Sequence, residues 1–360
     1  MIGKPGLFRV HRWLGITAAA FLFVQALTGV TLVFGPELAR LIDPSGMTSR
    51  PGAADAPPNA LITAAEAQYP HYRISRLVYP AAGGGTYLVH LTDERGSIRY
   101  VSLDRHDASV LRKGSVWHFP MIAVFNIHDQ WLAGRPGMAL VMASGFSLVI
   151  MAISGLVFWW PRRSVRKSLA VRWDSKPRLI LRQLHRTTGV LAFPLLLIQA
   201  VTGLTIIIPM VTDPPAREWN TRESFARRVD LAVALARKRY PDHAIRDVRV
   251  AAPTIVNVFF KAPERNSRAV HRVTVDTKSK RVDAVLDASA DRAIWVITYP
   301  LHTGEFFGLA GRILLLFVGL ALAGLAGAGA VMWAQARGAK SRSVKARTRK
   351  RAEVGAQSRA

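Results

Sequence analysis

The chain of 360 residues contains no cysteine, and its 23 acidic side chains face 49 lysines and arginines. The lack of cysteine excludes disulfide bonds, iron–sulfur clusters held by cysteine, thiolate chemistry and haem attachment through CxxCH. The sequence also lacks a GxGxxG nucleotide fingerprint and a flavin motif. Any metal centre must therefore use histidine, carboxylate or methionine. If the protein carries out redox chemistry, its electrons must come from another molecule.

Four apolar runs are long enough to cross a bilayer, which takes about 20 residues. They cover 14–35, 137–160, 187–209 and 312–334. The segments 1–12, 161–186 and 336–360 hold 21 of the 49 basic residues but only two acidic ones. Because basic loops stay in the cytoplasm, we expect four crossings with both termini inside. Topology and anionic membrane lipid then explain the net charge of +26, and nucleic acid is not expected as a partner.

Two stretches of sequence correspond to each other in register. HRWLGITAAAFLFVQALTGVT begins at His11, and HRTTGVLAFPLLLIQAVTGLT begins at His185. The separation in sequence between His11 and His185 is termed the repeat offset. Six of the identical positions fall on one stripe of a helix. They are His11/His185, Gly15/Gly189, Ala18/Ala192, Leu22/Leu196, Gln25/Gln199 and Gly29/Gly203. Since no signal peptide can act at His185, the first run is predicted to be a retained span.

His128 and His302 are separated by the same repeat offset, as are glycines and a tryptophan in the spans that follow. The sequence therefore predicts a membrane protein with a four-helix bundle made of two repeated halves. Parallel repeats pack about a pseudo-two-fold axis normal to the membrane. Such an axis places His11 opposite His185 near the cytoplasmic face and His128 opposite His302 near the periplasmic face.

Each half carries an external segment predicted as an α+β module. A helix closed by Tyr-Pro, at residues 69–70 and 240–241, is followed by alternating strands. The strands are expected at 73–80, 86–92, 98–104, 245–251, 255–261 and 269–275, with a flexible hairpin at Gly83–Gly84–Gly85. The predicted order is N-terminus and first span (1–36), first module (37–117), periplasmic-side helix and second span (118–160), basic loop (161–184), third span (185–210), second module (211–298), fourth span (299–335) and basic tail (336–360).

Two imidazoles from facing helices suit the axial positions of a haem iron inside a helix bundle. Each histidine pair is therefore a candidate haem site, and two haems are expected. Nearby arginines could bind haem propionates through charge-assisted hydrogen bonds. They are Arg12 and Arg186 at the inner pair and Arg135 and Arg312 at the outer pair. His118 is a weaker candidate ligand, because its counterpart in the other half is Arg292.

Other readings of these residues stay open. A histidine at a membrane boundary is often an interfacial hydrogen-bonding group. Gln25 and Gln199 suit either packing between helices or contact with a cofactor or quinone. A zinc site at either pair lacks the carboxylates that a tetrahedral site would add. His71, His90, His106, His243 and His271 are predicted to be solvated or structural.

The sequence resembles the PepSY-associated transmembrane family, which includes iron-regulated inner-membrane proteins and ferric-siderophore reductases. The matching stretches are HRWLG with QALTG, IHDQWLAGRPG followed by SGLVFWWPRR, and LHTGEFFGLAGR. The resemblance covers nearly the whole chain and implies four spans with periplasmic PepSY modules. For the reductase members it also implies b-type haems held by span histidines, which by position are His11, His128, His185 and His302.

Together these features predict a di-haem electron-transfer protein of a bacterial inner membrane. It would reduce Fe(III) in a siderophore, or another periplasmic acceptor, with electrons from quinol or a separate cytoplasmic reductase. One alternative is a non-catalytic PepSY protein that binds peptides or regulates a protease. Another is a haem-bearing membrane subunit of a different reductase. Haem content separates the first prediction from the non-catalytic one, and an acceptor assay separates it from the membrane subunit.

Overall fold

The computed structural model describes residues 4–42, 49, 54–80, 85–160, 164–212, 224–266 and 268–357, with residues 339–357 as backbone only. The predicted hairpin glycines Gly83 and Gly84 and the side chains of most of the basic tail lie outside this description. The contacts divide the chain into two units. The helical unit comprises Met1–Val30, Met142–Leu204 and Leu314–Ala360, and the sheet unit comprises Thr31–Val141 and Thr205–Ile313.

The chain forms ten helices and eight strands within the described residues. The helices are α1 (Lys4–Val33), α2 (Gly35–Ile42), α3 (Pro58–Gln68), α4 (Pro120–Gln130), α5 (Gly134–Trp159), α6 (Val165–Leu169), α7 (Pro177–Thr212), α8 (Ala226–Arg237), α9 (Trp295–Thr303) and α10 (Gly308–Gln357). The strands are β1 (Arg73–Val78), β2 (Tyr87–Thr92), β3 (Ile98–Leu103), β4 (Val110–Gly114), β5 (Ile245–Val250), β6 (Ile255–Lys261), β7 (Val270–Asp276) and β8 (Arg281–Leu286).

Four of these helices, α1, α5, α7 and α10, are long and apolar enough to cross a membrane. They cover the four predicted apolar runs, except that α1 ends two residues and α5 one residue before the run does. Helices α1 and α7 begin before those runs, with a proline in the first turn, where its missing N–H costs no hydrogen bond. Both His11 and His185 therefore lie on regular helix.

The shared stripe on α1 and α7 is the face that the helical unit buries. Ala18 and Leu22 pack against Leu148 of α5. Their counterparts Ala192 and Leu196 pack against Val318 of α10. The stripe that recurs at the repeat offset is thus a helix-packing face, and each histidine stands at one end of it.

The sheet unit contains one antiparallel sheet with the order β4-β3-β2-β1-β5-β6-β7-β8. The six predicted strands are present. The sequence missed β4 and β8, which are the two edge strands. Five of the six residues of β8 are exposed, so no alternation of apolar and polar residues marks it. The other strands show the alternation, as in β2 and β6.

The two external segments are not separate modules, because β1 pairs directly with β5. Leu77 faces Val248 across this seam, and both belong to a core that also takes in α3 and α8. Each four-stranded half alone would leave its β1 or β5 edge with unpaired backbone groups. The pairing of β1 with β5 satisfies the backbone groups of both edges.

Candidate functional site

The outer pair, His128 and His302, comes together within the sheet unit. Their ring centroids are 6.4 Å apart and their planes are inclined by 48°. Two imidazoles that bind one metal ion from opposite sides have centroids about 6 Å apart, since each metal–nitrogen distance is about 2.0–2.1 Å. The spacing of the outer pair therefore fits two ligands of a single iron.

Both histidines of the outer pair lie near the end of a short helix that leads into a long one. The residues that directly follow α4 and α9, Trp131 and Gly304, both have left-handed backbone. The sequence prediction had included His302 in the fourth span, but the turn after α9 separates it from α10. The outer pair is therefore held by short helices outside the four long ones.

The turns after α4 and α9 share an unusual geometry. Gly134 and Gly308, which correspond at the repeat offset, have φ angles of +59° and +57°. A Cβ atom on Gly137 would collide with the carbonyl of Gln130, and one on Gly311 would collide with the carbonyl of Gly304. Glycine is required at both positions, so the two histidines are carried by closely similar turns.

The inner histidine His11 is oriented by helix α5. Its Nδ1 atom lies 3.1 Å from the Met151 carbonyl oxygen and 3.1 Å from the Ser154 hydroxyl. An Nδ1–H group that donates to the carbonyl leaves the lone pair at Nε2, which is the usual arrangement of a metal-binding histidine. The tautomer is assigned from these partners.

His185 occupies the corresponding place against α10. It faces the backbone of Leu325, which is the counterpart of Met151 at the repeat offset. Its Nδ1 atom is buried and lies outside hydrogen-bonding geometry to any residue that the structure describes. His185 therefore has a buried ring nitrogen that no described residue satisfies, and its pairing with His11 stays a prediction.

Glycines let the inner imidazoles approach the helix backbone. A Cβ atom on Gly155 would lie 3.1 Å from Cε1 of His11, and one on Gly329 would lie 3.8 Å from Cε1 of His185. Gly155 and Gly329 are themselves counterparts at the repeat offset. The residues present therefore fit a flat group such as a haem between two imidazoles. The distance between the His128 and His302 rings suits two ligands of one iron. At the inner pair, His11 keeps Nε2 available and glycines border both rings.

Two of the predicted propionate-binding arginines bind helix ends in the sheet unit. Arg312 donates to the Val33 carbonyl at 2.8 and 3.0 Å and to both carboxylate oxygens of Glu37 at 2.8 Å. Arg135 donates to the Val211 carbonyl at 2.5 Å. Cations at helix C-termini interact favourably with the helix dipole. This contact accounts for both arginines, and their binding of propionates stays a prediction.

The inner arginines differ from each other. Arg12 is exposed and lies over the rings of Phe8 and Trp13 at 5.9 and 5.6 Å. Arg186 donates from Nη2 to the Ala170 carbonyl at 2.9 Å, and its Nε is buried without a partner among the described residues. Arg186 is therefore the better placed of the two to receive an anionic group.

The weaker candidate His118 has a local role. It is exposed, its Nδ1 atom lies 3.3 Å from the Ser115 hydroxyl, and its ring covers Gly114. Gly114 at φ +157° leaves room for that ring. These contacts explain His118 without a bound metal.

His243 and His271, which the sequence predicted to be solvated or structural, form a group with Glu264 in which the ligand atoms lie within 4.8 Å of one another. Nδ1 of His271 accepts the Ala288 N–H at 3.1 Å, so the proton of the neutral ring is at Nε2. Nε2 lies 3.2 Å from Glu264 and donates to it. A metal ion would need the nitrogen that carries this proton. We interpret the group as a hydrogen-bonded pair with a neighbouring imidazole.

A further buried carboxyl that no sequence pattern marked is that of Asp129, next to His128. Burial raises the pKa of Asp129 to about 7. Its Oδ1 is buried without a hydrogen-bond partner among the described residues. No spacing in the sequence marks this carboxyl, since its burial depends on the fold of the sheet unit over α4.

The family model described as PepSY-associated TM region matches residues 8–336, a range that includes all four paired histidines. No curated protein matches the chain.

Proposed function

Because this chain belongs to the PepSY-associated transmembrane family, we propose that it is a di-haem electron-transfer protein of a bacterial inner membrane. Its acceptor is a periplasmic ferric chelate, with Fe(III) held by a siderophore. The observation that carries the proposal is the 6.4 Å separation of the His128 and His302 rings. This separation suits one iron between two axial imidazoles.

The four histidines hold the cofactors in this proposal. His128 and His302 supply the outer ligand pair, and His11 and His185 supply the inner pair. When bound by two imidazoles, a haem exchanges one electron at a time and has no open iron position for oxygen. The Met151 carbonyl orients His11, and the glycine turns after α4 and α9 fix the outer imidazoles.

The direction of transfer follows from topology. The basic segments beside the long helices favour cytoplasmic termini, which puts the sheet unit and the outer pair in the periplasm. The sequence carries no nicotinamide or flavin motif, so quinol or a separate reductase is the donor. Arg186, with its buried Nε, is the chain's candidate for anchoring a propionate of the inner haem.

Iron release is the chemical consequence of the transfer. Each Fe(III) in the chelate would gain one electron and become Fe(II), and a haem held by His128 and His302 would supply that electron. Fe(II) carries less charge than Fe(III), and it is bound less tightly by the hard oxygen ligands of a siderophore. The products are Fe(II) and the free chelator.

In the absence of oxygen, reduced protein is expected to give its electrons to a ferric siderophore. The reduced protein, freed of excess reductant, is mixed with the ferric chelate and a ferrous-iron trap. We expect the reduced haem band to disappear while about one trapped Fe(II) forms per haem oxidised. The gallium(III) complex of the same siderophore is the matched control, since it cannot be reduced. Haem that stays reduced with every ferric chelate tested would contradict the acceptor assignment.

A further inference from the structure

A row of polar side chains crosses the sheet on the face opposite helices α3 and α8. Cross-strand partners in a sheet point to the same face. The register places directly opposite one another, in order, Tyr100, His90, Arg76, Arg249, Asn257 and Thr274. Their sequence neighbours Leu77 and Val248 are fully buried in the core on the other face. The two arginines stand at the middle of the row, on the β1–β5 seam.

These arginines surround a single buried carboxylate. Asp247 is 0% exposed and binds Arg76 at 3.2 Å, Arg249 at 2.6 Å and Arg246 at 2.7 Å. Burial alone would raise the pKa of Asp247, but the three guanidinium groups hold it below its usual value. The carboxylate is therefore ionised and fixes the arginines in place.

The cluster of Arg76, Arg246, Arg249 and Asp247, here termed the arginine seam, keeps an excess of two positive charges. The side chains of Arg76 and Arg249 are 34% and 43% exposed, so both are partly accessible. Nε of Arg76 is buried without a partner among the described residues. Burial lowers the pKa of His90 to about 3, so this neighbouring ring is neutral. The excess charge belongs to the arginines alone.

The arginine seam is connected to α4, which carries His128, and to the turn that follows α9, which carries His302. On one side His90 contacts Tyr100 at 4.9 Å, and Tyr100 hydrogen-bonds Asn126 of α4, two residues before His128. On the other side Arg246 donates to the Arg268 carbonyl at 3.4 Å. Arg268 in turn binds Glu305, three residues after His302, at 2.6 Å. The seam is thus tied to the outer pair through two short chains of contacts.

We infer that the arginine seam binds the anionic ligand shell of the electron acceptor through carboxylate oxygens. This inference rests on the proposed function and names the class of chelate: one with net negative charge and exposed carboxylates. Guanidinium groups bind carboxylates in a planar, two-point manner that lysine cannot reproduce. The Phe259 ring lies 4.7 Å from the Arg249 guanidinium and holds that plane in place.

The test measures binding without electron transfer. Full-length purified protein is dialysed to equilibrium against gallium(III) citrate, an anionic chelate that cannot be reduced, and bound gallium is measured. We expect Arg249→Gln to weaken binding by about tenfold or more, as for the loss of a charge-assisted hydrogen bond. Arg227→Gln is the matched control, since Arg227 is an exposed residue of α8, on the other side of the sheet.

Equal binding to Arg249→Gln and wild type, or an equal loss in Arg227→Gln, overturns the inference. If Arg249→Gln does not fold, the wild type decides: it should bind gallium(III) citrate and not a cationic gallium trihydroxamate. Equal binding of the two chelates, or of neither, also overturns it. A protein that binds gallium(III) citrate through Arg249 but contains no haem would refute the proposed function and leave the arginine seam intact.

Discussion

Replacing His302 with alanine is expected to lower the haem content of the purified protein from two per chain to one. The reason is that His302 supplies one of two axial imidazoles, and its ring faces His128 at 6.4 Å. The inner pair lies in the other unit and should keep its haem. Reduction of the periplasmic acceptor should be lost with the outer haem. Absorption spectra and a haem-to-protein ratio measure the first effect, and the ferrous-iron trap measures the second.

His118→Ala is the matched control for this substitution. His118 is exposed and hydrogen-bonds Ser115, so we expect both haems to remain. A His302→Ala protein that still holds two haems contradicts the ligand assignment. Loss of one haem in His118→Ala instead would replace His128 by His118 as the partner of His302.

Phe260→Ala should destabilise both halves of the sheet, by about 3–5 kcal/mol for a large buried aromatic. Phe260 is 0% exposed and lies in the core shared by the two external segments. Because β1 and β5 pair directly, the loss should spread from β6 into β1 and β2. Hydrogen exchange of the backbone amides, followed strand by strand, measures this spread.

Phe306→Ala provides the comparison, since Phe306 is 52% exposed and lies outside the sheet. We expect amide protection in β1–β8 to change little in this variant. If Phe260→Ala weakens protection only in β5–β8, the two segments fold independently, and the seam is a contact between separate domains.

Local patterns were enough to predict much of the architecture. Runs of about 20 apolar residues identified the four long helices. The alternation of apolar and polar residues predicted six strands. Strand β8 was missed because almost all of its residues are exposed, so it lacks that alternation. The β1–β5 pairing joins residues such as Arg76 and Arg249 that are far apart in the sequence. No local pattern predicts which strand edges will meet.

Some residues of the candidate site could likewise be predicted from the sequence, and others could not. The repeat offset selected the four histidines and predicted how they pair. It did not reveal Asp247 or its three arginines, because no residue spacing marks a salt-bridge cluster formed across a seam. It also did not predict that Arg135 and Arg312 bind the carbonyl groups of helix ends, since these contacts depend on where the helices stop.

The most direct test of the central claim is an absorption spectrum of the purified wild-type protein, oxidised and then reduced, with a haem-to-protein ratio. The account predicts a low-spin b-type spectrum and about two haems per chain. A colourless protein from haem-replete cells would contradict it. In that case the four histidines would be helix-packing residues, and the sheet unit would be studied as a binding module.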